Sequence, residues 1–402
     1  MKRFINCAFK IIFSRTLFII LMILVQLAVL CFGFTKLGES FSYITEGMSL
    51  LGALLVIFIV NRDGAPEFKM TWCILICLLP VFGALIYLFV ELNLGGIGLK
   101  ARTYVRLKET EGLLFATERT KEAVAGSRAD FRGFARYMEG TVGFPAYQGS
   151  EAVYYPSGED KFKDLLKELQ KAERFIFLEY FIMERGIMWN AILDILKEKV
   201  KQGVEVRVMY DGMCSIMLLP YGYPSELEKY GIKAKMFAPI RPFLSTNQNN
   251  RDHRKIVVID GKVAFTGGVN LADEYINEKE VYGHWKDTAV KITGEAVRSF
   301  TVMYLQMWHV SENGAADEYE KYLQNIVFDK PLKDDGFVIP YGEMPTVPTE
   351  VAKTVYESLF NTAKKYVHVM TPYFIVEQEF FDTMRYAAQR GVEVKMILPH
   401  TG

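Results

Sequence analysis

The stretch that decides the fold is residues 253–260, with the sequence H-R-K-I-V-V-I-D. Side chains of an extended chain alternate between its two faces, so His253 and Lys255 are predicted to project to the same side. The apolar run I-V-V-I that follows predicts a buried strand, and Asp260 with the next glycine predicts a turn at its end. The strand would therefore fix a histidine and a lysine at the edge of a rigid core.

These residue types in this order favour phosphoryl transfer. A histidine with a near-neutral pKa can attack phosphorus or donate a proton, a lysine can hold phosphate oxygens, and an aspartate can fix an imidazole tautomer. Further along the chain, Gly267 and Gly268 are predicted to let the backbone approach a ligand closely. An H-x-K pair alone would also suit an ordinary solvated hairpin, but the whole constellation favours a site.

Three segments together resemble a known family. They read N-R-D-H-R-K-I-V-V-I-D-G at 250–261, F-T-G-G-V-N-L-A-D-E-Y at 265–275 and G-H-W-K-D at 283–287, and they resemble the bacterial cardiolipin synthases of the phospholipase D superfamily. The resemblance implies transfer of a phosphatidyl group from one phosphatidylglycerol to another through a phosphohistidine, giving cardiolipin and glycerol. It implies no metal and no other cofactor.

The resemblance also suggests roles for individual residues. His253 would be either the nucleophile or the acid/base partner, and Lys255 and Asn270 would stabilise the phosphoryl oxygens. Asp287 is our candidate to accept a hydrogen bond from the imidazole of His253, although a solvated aspartate at a strand end has the same pattern. Asp260 is predicted to hold the turn and to bond Lys255.

Two further residues are weaker candidates for the pocket. Glu179 follows an apolar strand and is predicted to line the mouth of the pocket. His284 lies beside a tryptophan and is predicted either to contact a lipid headgroup or to have a purely structural place.

The composition limits the partners. The 402 residues carry 47 basic and 47 acidic side chains, and this balance does not favour a nucleic-acid-binding protein, which would more often show a basic surface. We therefore expect no nucleic acid, and the resemblance implies phosphatidylglycerol and membrane lipids as partners.

The N-terminal part is predicted to lie in a membrane. Residues 16–34 and 70–90 contain no charged side chain and are long enough to cross a hydrocarbon core of about 30 Å as helices. Residues 41–60 resemble the first hydrophobic segment of the family and are taken as a third span. A cleaved signal peptide is the alternative for the first span. Basic residues flank both ends of the region and favour opposite orientations, so a multi-pass protein of the bacterial cell membrane is expected with either orientation.

Beyond this membrane region, which we place at 1–99, the fold class expected is an α/β phospholipase D-like domain: a mixed sheet flanked by helices. A connector is predicted over 100–146, a first repeat with the H-x-K-x4-D motif over 147–330, and the incomplete start of a second repeat over 331–402. Helical spacing and strand patterns alternate as helix 162–172, strand 175–181, helix 187–201 and strand 204–210.

An internal duplication underlies the second repeat. The run G-V-E-V-R that begins at Gly203 returns as G-V-E-V-K at Gly391, 188 positions later, so a counterpart of His253 is expected at about position 441. On this reading the chain is a fragment with reduced or no activity alone. The alternatives are a phospholipase D-type hydrolase or nuclease, and a non-catalytic truncated membrane protein.

Overall fold

A computed structural model describes residues 24, 38–64, 66–91, 94–214, 218–239, 250–310, 319–328, 336–344 and 350–400. The chain divides into two units, one formed by Met1–Leu99 with Ile240–Asn250 and the other by Lys100–Pro239 with Arg251–Gly402.

The first unit is helical where it is described. Its helices are α1 (Gly38–Asn61), α2 (Pro66–Leu78), α3 (Pro80–Glu91) and the beginning of α4 (Leu94–Glu109). The single helix predicted over 70–90 is wrong, because α2 ends before Pro80, whose ring leaves no backbone N–H for the helical ladder and crowds the preceding turn. The ring of Trp72 in α2 meets the ring of Tyr87 in α3 at 5.3 Å, edge to face.

None of the helices in the described ranges has both the length and the apolar character that a membrane crossing needs. Apart from Leu24, the predicted span 16–34 lies outside the described residues. The spans 41–60 and 70–90 fall on α1 and on the pair α2 and α3. The three membrane crossings stay a prediction.

The second unit is built from alternating helices and strands. The helices after α4 are α5 (Glu118–Ala125), α6 (Ala129–Tyr137), α7 (Gly158–Lys171), α8 (Ile187–Lys201), α9 (Tyr223–Glu228), α10 (Val297–Val310), α11 (Tyr319–Leu323), α12 (Val351–Thr362) and α13 (Gln378–Gln389). The strands are β1 (Ser150–Tyr155), β2 (Phe175–Tyr180), β3 (Glu205–Asp211), β4 (Lys233–Phe237), β5 (Ile256–Ile259), β6 (Val263–Gly267), β7 (Ala289–Gly294), β8 (Tyr366–Met370) and β9 (Glu393–Ile397).

The first seven strands form one mixed sheet in the order β1-β7-β6-β5-β2-β3-β4. The strands β2, β3 and β4 are parallel, as the helical crossover α8 between β2 and β3 requires. The remaining neighbours are antiparallel, including β2 with β5. The predicted α/β class, a mixed sheet flanked by helices, is confirmed.

Strand β2 lies in the interior of the sheet, between β5 and β3, and each of its six residues is buried. Ile176 and Leu178 join the core formed with α7 and α8. On the opposite face, Phe177 stacks on Tyr304 of α10 at 4.6 Å and Phe175 meets Tyr322 of α11 at 5.0 Å. Because helices cover both faces, the strand is an almost continuous apolar run.

The helix and strand pattern predicted around β2 is confirmed. Helix 162–172 corresponds to α7, strand 175–181 to β2, helix 187–201 to α8 and strand 204–210 to β3. The apolar run after the H-x-K pair is β5, whose four residues are all buried. These elements bring the end of β2 next to the start of β5.

Strands β8 and β9 form a separate parallel pair joined by α13. Tyr366 at the start of β8 pairs with Glu393, much as Phe175 at the start of β2 pairs with Glu205. The internal repeat and the domain boundaries stay predictions.

Candidate active site

His253 and Lys255 lie together on the segment that leads into β5. The Lys255 Nζ is 3.0 Å from His253 Nδ1 and donates to the His253 carbonyl oxygen at 2.6 Å. The ring of Phe181, just past β2, lies 4.6 Å from the imidazole. The prediction that the two side chains project to the same side is confirmed. His253 is exposed whereas Lys255 is only 6% exposed, so the imidazole is open to a substrate and the cation lies behind it.

Burial shifts the titration of both groups. It lowers the pKa of Lys255 to about 8, although the carboxylates of Asp252 and Asp287 oppose the shift. Although His253 is exposed at the surface, the part of its ring that packs against the protein is desolvated, and this lowers its pKa from the ordinary value; the charge of Lys255 lowers it further, with Asp252 opposing. Near neutral pH, these shifts favour a neutral imidazole on His253 beside a protonated Lys255.

The orienting role of Asp287 stays a prediction. Its carboxylate accepts a hydrogen bond from the backbone N–H of Thr288 at 2.8 Å, and its charge acts on Lys255. Within the described ranges it forms no hydrogen bond with His253. A charged lysine can only donate, so His253 Nδ1 is the acceptor in its contact with the protonated Lys255.

The two glycines let parts of the protein itself approach closely, and the predicted approach of a ligand stays a prediction. A Cβ atom at Gly268 would overlap the carboxylate of Asp287, and one at Gly267 would overlap the backbone carbonyl oxygen of Thr288. Gly267 also has a φ of 145°, which side chains rarely tolerate. The G-G pair thus brings β7 and Asp287 close to the strand that leads to Asn270.

Asn270 is 3% exposed and its carboxamide is engaged by the fold. The oxygen accepts from the backbone N–H of Ile182 at 3.0 Å, and the nitrogen donates to the hydroxyl of Tyr275 at 2.8 Å. The amide ties the chain after β2 to the chain after β6. Its predicted contact with a phosphoryl oxygen stays a prediction, for which the second N–H of the amide would serve.

Asp260 lies at the opposite end of β5 from Lys255, and a four-residue strand spans about 13 Å. The predicted bond between them is therefore wrong. The carboxylate instead accepts three backbone N–H groups at the start of β2, from Glu173, Arg174 and Phe175, at 2.8, 2.8 and 2.9 Å. Asp260 also adopts a left-handed φ of 55° at the turn, which aspartate tolerates better than most residues.

Glu179 does not line a pocket mouth, because it is fully buried on the face of β2 that is covered by α10. Its Oε1 accepts from Arg254 Nε at 2.7 Å. Burial raises the pKa of Glu179 well above its ordinary value, with Arg254 opposing and Asp252 adding to the rise. His284 is exposed on the loop before β7, and its predicted contact with a headgroup stays a prediction.

Comparison with known proteins assigns this site to a family. Residues 165–308 match the family described as "Cardiolipin synthase, PLD-like domain", and residues 50–91 match "Phospholipase_D-nuclease N-terminal". A cardiolipin synthase from Alkalihalophilus pseudofirmus is 32% identical over 363 residues, which cover 88% of this chain and 69% of that protein. The chain belongs to the cardiolipin synthase family.

Another relative also aligns with most of this chain. An uncharacterized protein from Streptococcus mutans serotype c is 44% identical over 86% of this chain and 74% of its own length. Among solved structures, phosphatidylserine synthase from Haemophilus influenzae Rd KW20 is 16% identical with a TM-score of 0.45, covering 63% of each chain. As a member of the family, the chain is an enzyme of the cardiolipin synthase type, a phosphatidyltransferase.

A buried aspartate, to which the sequence pattern assigned no role, anchors the segment that carries His253. Asp211, at the end of β3, is fully buried and accepts from the backbone N–H of Asp252 at 2.9 Å and from Arg251 Nη1 at 3.2 Å. Burial raises the pKa of Asp211, and these donors oppose the rise. The available signal was an aspartate that directly follows an apolar strand and precedes a glycine.

Lys161 was also missed. It is 2% exposed in the core, and its Nζ donates to the Tyr180 hydroxyl at 2.9 Å. Burial lowers its pKa to about 7, with the charge of Asp287 opposing. No sequence pattern indicated its burial, because a lysine in the first turn of an amphipathic helix is normally solvated.

Proposed function

We propose that this chain contributes His253 and Lys255 to the conversion of two phosphatidylglycerol molecules into cardiolipin and glycerol. The observation that supports the proposal is the exposed imidazole of His253 in contact with the buried ammonium group of Lys255. A nucleophile open to the substrate beside a fixed cation is the arrangement that attack on a phosphodiester requires.

The first step would form a P–N bond between the imidazole and the phosphatidyl phosphorus and break the P–O bond to glycerol. The departing glycerol oxygen would take a proton from an acid. A phosphoryl oxygen would compete with His253 Nδ1 for the ammonium group of Lys255. Once Lys255 binds the phosphate, Nδ1 would be released to carry the ring proton, and Nε2 would be free to attack.

The second step would reverse these roles. The glycerol hydroxyl of a second phosphatidylglycerol would give its proton to a base and form the new P–O bond, while the P–N bond breaks and the imidazole is restored. In the other assignment, His253 would act as this acid and base and another imidazole would attack. Neither step uses a metal or a cofactor in this proposal.

Asn270 and Asp287 would support the phosphoryl group indirectly. Asn270 would offer its second amide N–H to a phosphoryl oxygen, and Asp287 would hold the charge of Lys255 and orient the released Nδ1 of His253. Asp260 would act as a positioning residue, since its three bonds fix β5 against β2. We further propose that the protein resides in the bacterial cell membrane through its N-terminal apolar segments.

The test is incubation of the purified protein with phosphatidylglycerol vesicles, followed by separation of the lipid products. Cardiolipin formed by the wild type and not by His253→Ala would support the proposal. Phosphatidic acid as the main product would favour a hydrolase, a possibility that the exposure of His253 to water makes worth measuring. No lipid product would favour a non-catalytic membrane protein.

A further inference from the structure

Behind the catalytic segment lies a second group of charges that the proposed chemistry does not use. Residues 252–255 alternate between two faces of the extended chain. His253 and Lys255 contact each other on one face. Arg254 projects from the opposite face, where its Nη2 donates to the carbonyl oxygen of Met303 in α10 at 3.2 Å.

Two buried carboxyl groups share this arginine. The Arg254 Nη2 and Nε lie 2.6 and 2.7 Å from Glu179 Oε1, and Nε lies 3.6 Å from Asp252 Oδ1. Glu179 is 0% and Asp252 2% exposed. One guanidinium can neutralise only one carboxylate, and a second buried negative charge would be costly.

The hydrogen bonds leave one oxygen on each acid without a partner. Glu179 Oε2 and Asp252 Oδ2 are both buried and accept no hydrogen bond, and both acids lie around the same guanidinium group. Two buried carboxylates around one cation repel each other unless they share a proton. A single proton would serve both oxygens, because one group donates and the other accepts.

We infer that Glu179 is a protonated carboxylic acid that donates a hydrogen bond to the Asp252 carboxylate, and that the pair with Arg254 is a neutral positioning unit behind His253. Asp252 is the better carboxylate, since its Oδ1 also accepts from the backbone N–H of Arg254 at 3.2 Å. That bond spans His253, so the unit fixes the peptide that carries the imidazole. The raised pKa of Glu179 agrees with this assignment.

Among the residues that the structure describes, the hydroxyl of Tyr304 on α10 is a further ionisable group on which Glu179 acts. Burial raises its pKa well above the ordinary value for tyrosine, with Arg207 opposing and Glu179 adding to the rise, so it is neutral at physiological pH. The charge balance of the unit therefore rests on Arg254, Asp252 and one proton. This inference deepens the proposed function, because the negative charge of Asp252 raises the pKa of both His253 and Lys255.

The first test needs no activity and so does not depend on the proposed function. Infrared spectra of wild type and Glu179→Gln at neutral pH should differ by the carbonyl stretching band of a protonated carboxylic acid that shifts in heavy water. Glu205→Gln is the matched control, because Glu205 is held as a carboxylate by Lys233, Lys321 and Arg207. It should leave the band unchanged. Absence of the band in the wild type would overturn the inference.

The second test is rescue by the amide. A glutamine at 179 would accept from Arg254 and donate to Asp252 as the protonated acid does, so Glu179→Gln should retain the thermal stability and most of the turnover that Glu179→Ala loses. Glu205→Gln should instead destabilise the protein. If glutamine at 179 is as damaging as alanine, the carboxyl is ionised and the inference is wrong.

The third test is the pH profile of turnover with phosphatidylglycerol vesicles. Asp252→Asn removes the negative charge next to the motif, so both limbs of the profile should move to lower pH by about one unit. Glu179→Gln should leave both limbs in place, since it replaces a neutral group by a neutral group. A shift in the glutamine variant equal to that in Asp252→Asn would contradict the assignment of the proton.

Discussion

Replacement of Lys255 by methionine should stabilise the fold while it removes activity. The pKa of Lys255 is lowered by burial from 10.5 to about 8. At about 1.4 kcal/mol per pKa unit, this shift corresponds to about 3 kcal/mol of unfavourable free energy in the folded protein at neutral pH. Methionine keeps the length of the side chain without the charge.

Part of the stabilisation expected from Lys255→Met would be offset by a lost hydrogen bond. Lys255 donates to the carbonyl oxygen of His253 at 2.6 Å, and the loss of one such bond costs about 1 kcal/mol when water can replace the donor. Because His253 is an exposed residue, we expect water to replace the lost donor. The net stabilisation expected at pH 7 is therefore about 1–3 kcal/mol.

The pH dependence of stability predicts independently whether Lys255→Met stabilises or destabilises the fold. The pKa of Lys255 is lower in the folded protein, about 8, than its unfolded value of 10.5. The contribution of Lys255 to stability is therefore greatest above pH 10.5, and it is lost as the pH falls through about 8. The advantage of Lys255→Met over wild type should consequently be full below pH 8 and disappear as the pH approaches 10.5. Denaturant unfolding at several pH values measures it.

Turnover should move in the opposite direction. Loss of a fixed cation at a phosphoryl group lowers the rate on the order of 100- to 1000-fold. Lys161→Met is the matched control, since Lys161 is equally buried and its pKa is lowered to about 7, and it should stabilise the fold without a comparable loss of turnover. A Lys255→Met protein that is less stable than wild type at pH 7, or one that retains turnover, would refute the reasoning.

Three other outcomes are expected. If the neutral imidazole of His253 attacks, turnover should rise with increasing pH with an apparent pKa below 6.5, and it should fall again as Lys255 loses its proton at about pH 8. A decrease in turnover as the pH rises through the pKa of His253 would instead favour the acid role. Asp260→Asn keeps the left-handed turn but offers only one acceptor to three N–H donors, so calorimetry should show a loss of about 2–4 kcal/mol in stability, and an unchanged melting temperature would contradict this. Turnover should survive a metal chelator, because imidazole and ammonium supply the nucleophile and the charge, and activity restored only by added metal would exclude the mechanism.

The sequence predicted the architecture of the sheet well because periodicity reports burial directly. Strand β2 is apolar on both faces, and only a strand covered by helices on each side has that pattern. The amphipathic spacing of α7 and α8 supplied the covering helices. Periodicity could not show that Pro80 divides the apolar segment 70–90 into two helices, because hydropathy averages over the break.

Side-chain partners were predicted less well than positions. The alternation rule placed His253 next to Lys255, since two residues on one strand need no knowledge of the rest of the fold. Asp260 was paired with Lys255 because the two are near in sequence, whereas its real partners lie about 87 positions away at the start of β2. Such partners depend on which strands are neighbours, and a single sequence does not give that order.

The same alternation explains why a functional histidine can lie in a row of charged residues without disturbing the core. In the run D-H-R-K, successive side chains project to opposite faces of the extended chain. Lys255 therefore contacts His253 on one face, while Arg254 contacts Glu179 on the other. A shift of the pairing by one residue would bury the imidazole and expose the arginine. Asp211 and Asp260 oppose such a shift from the two ends of the segment, because one binds the backbone ahead of His253 and the other binds the backbone opposite the end of β5. The position of the His253 imidazole is therefore held by two buried aspartates, neither of which contacts the imidazole through these bonds.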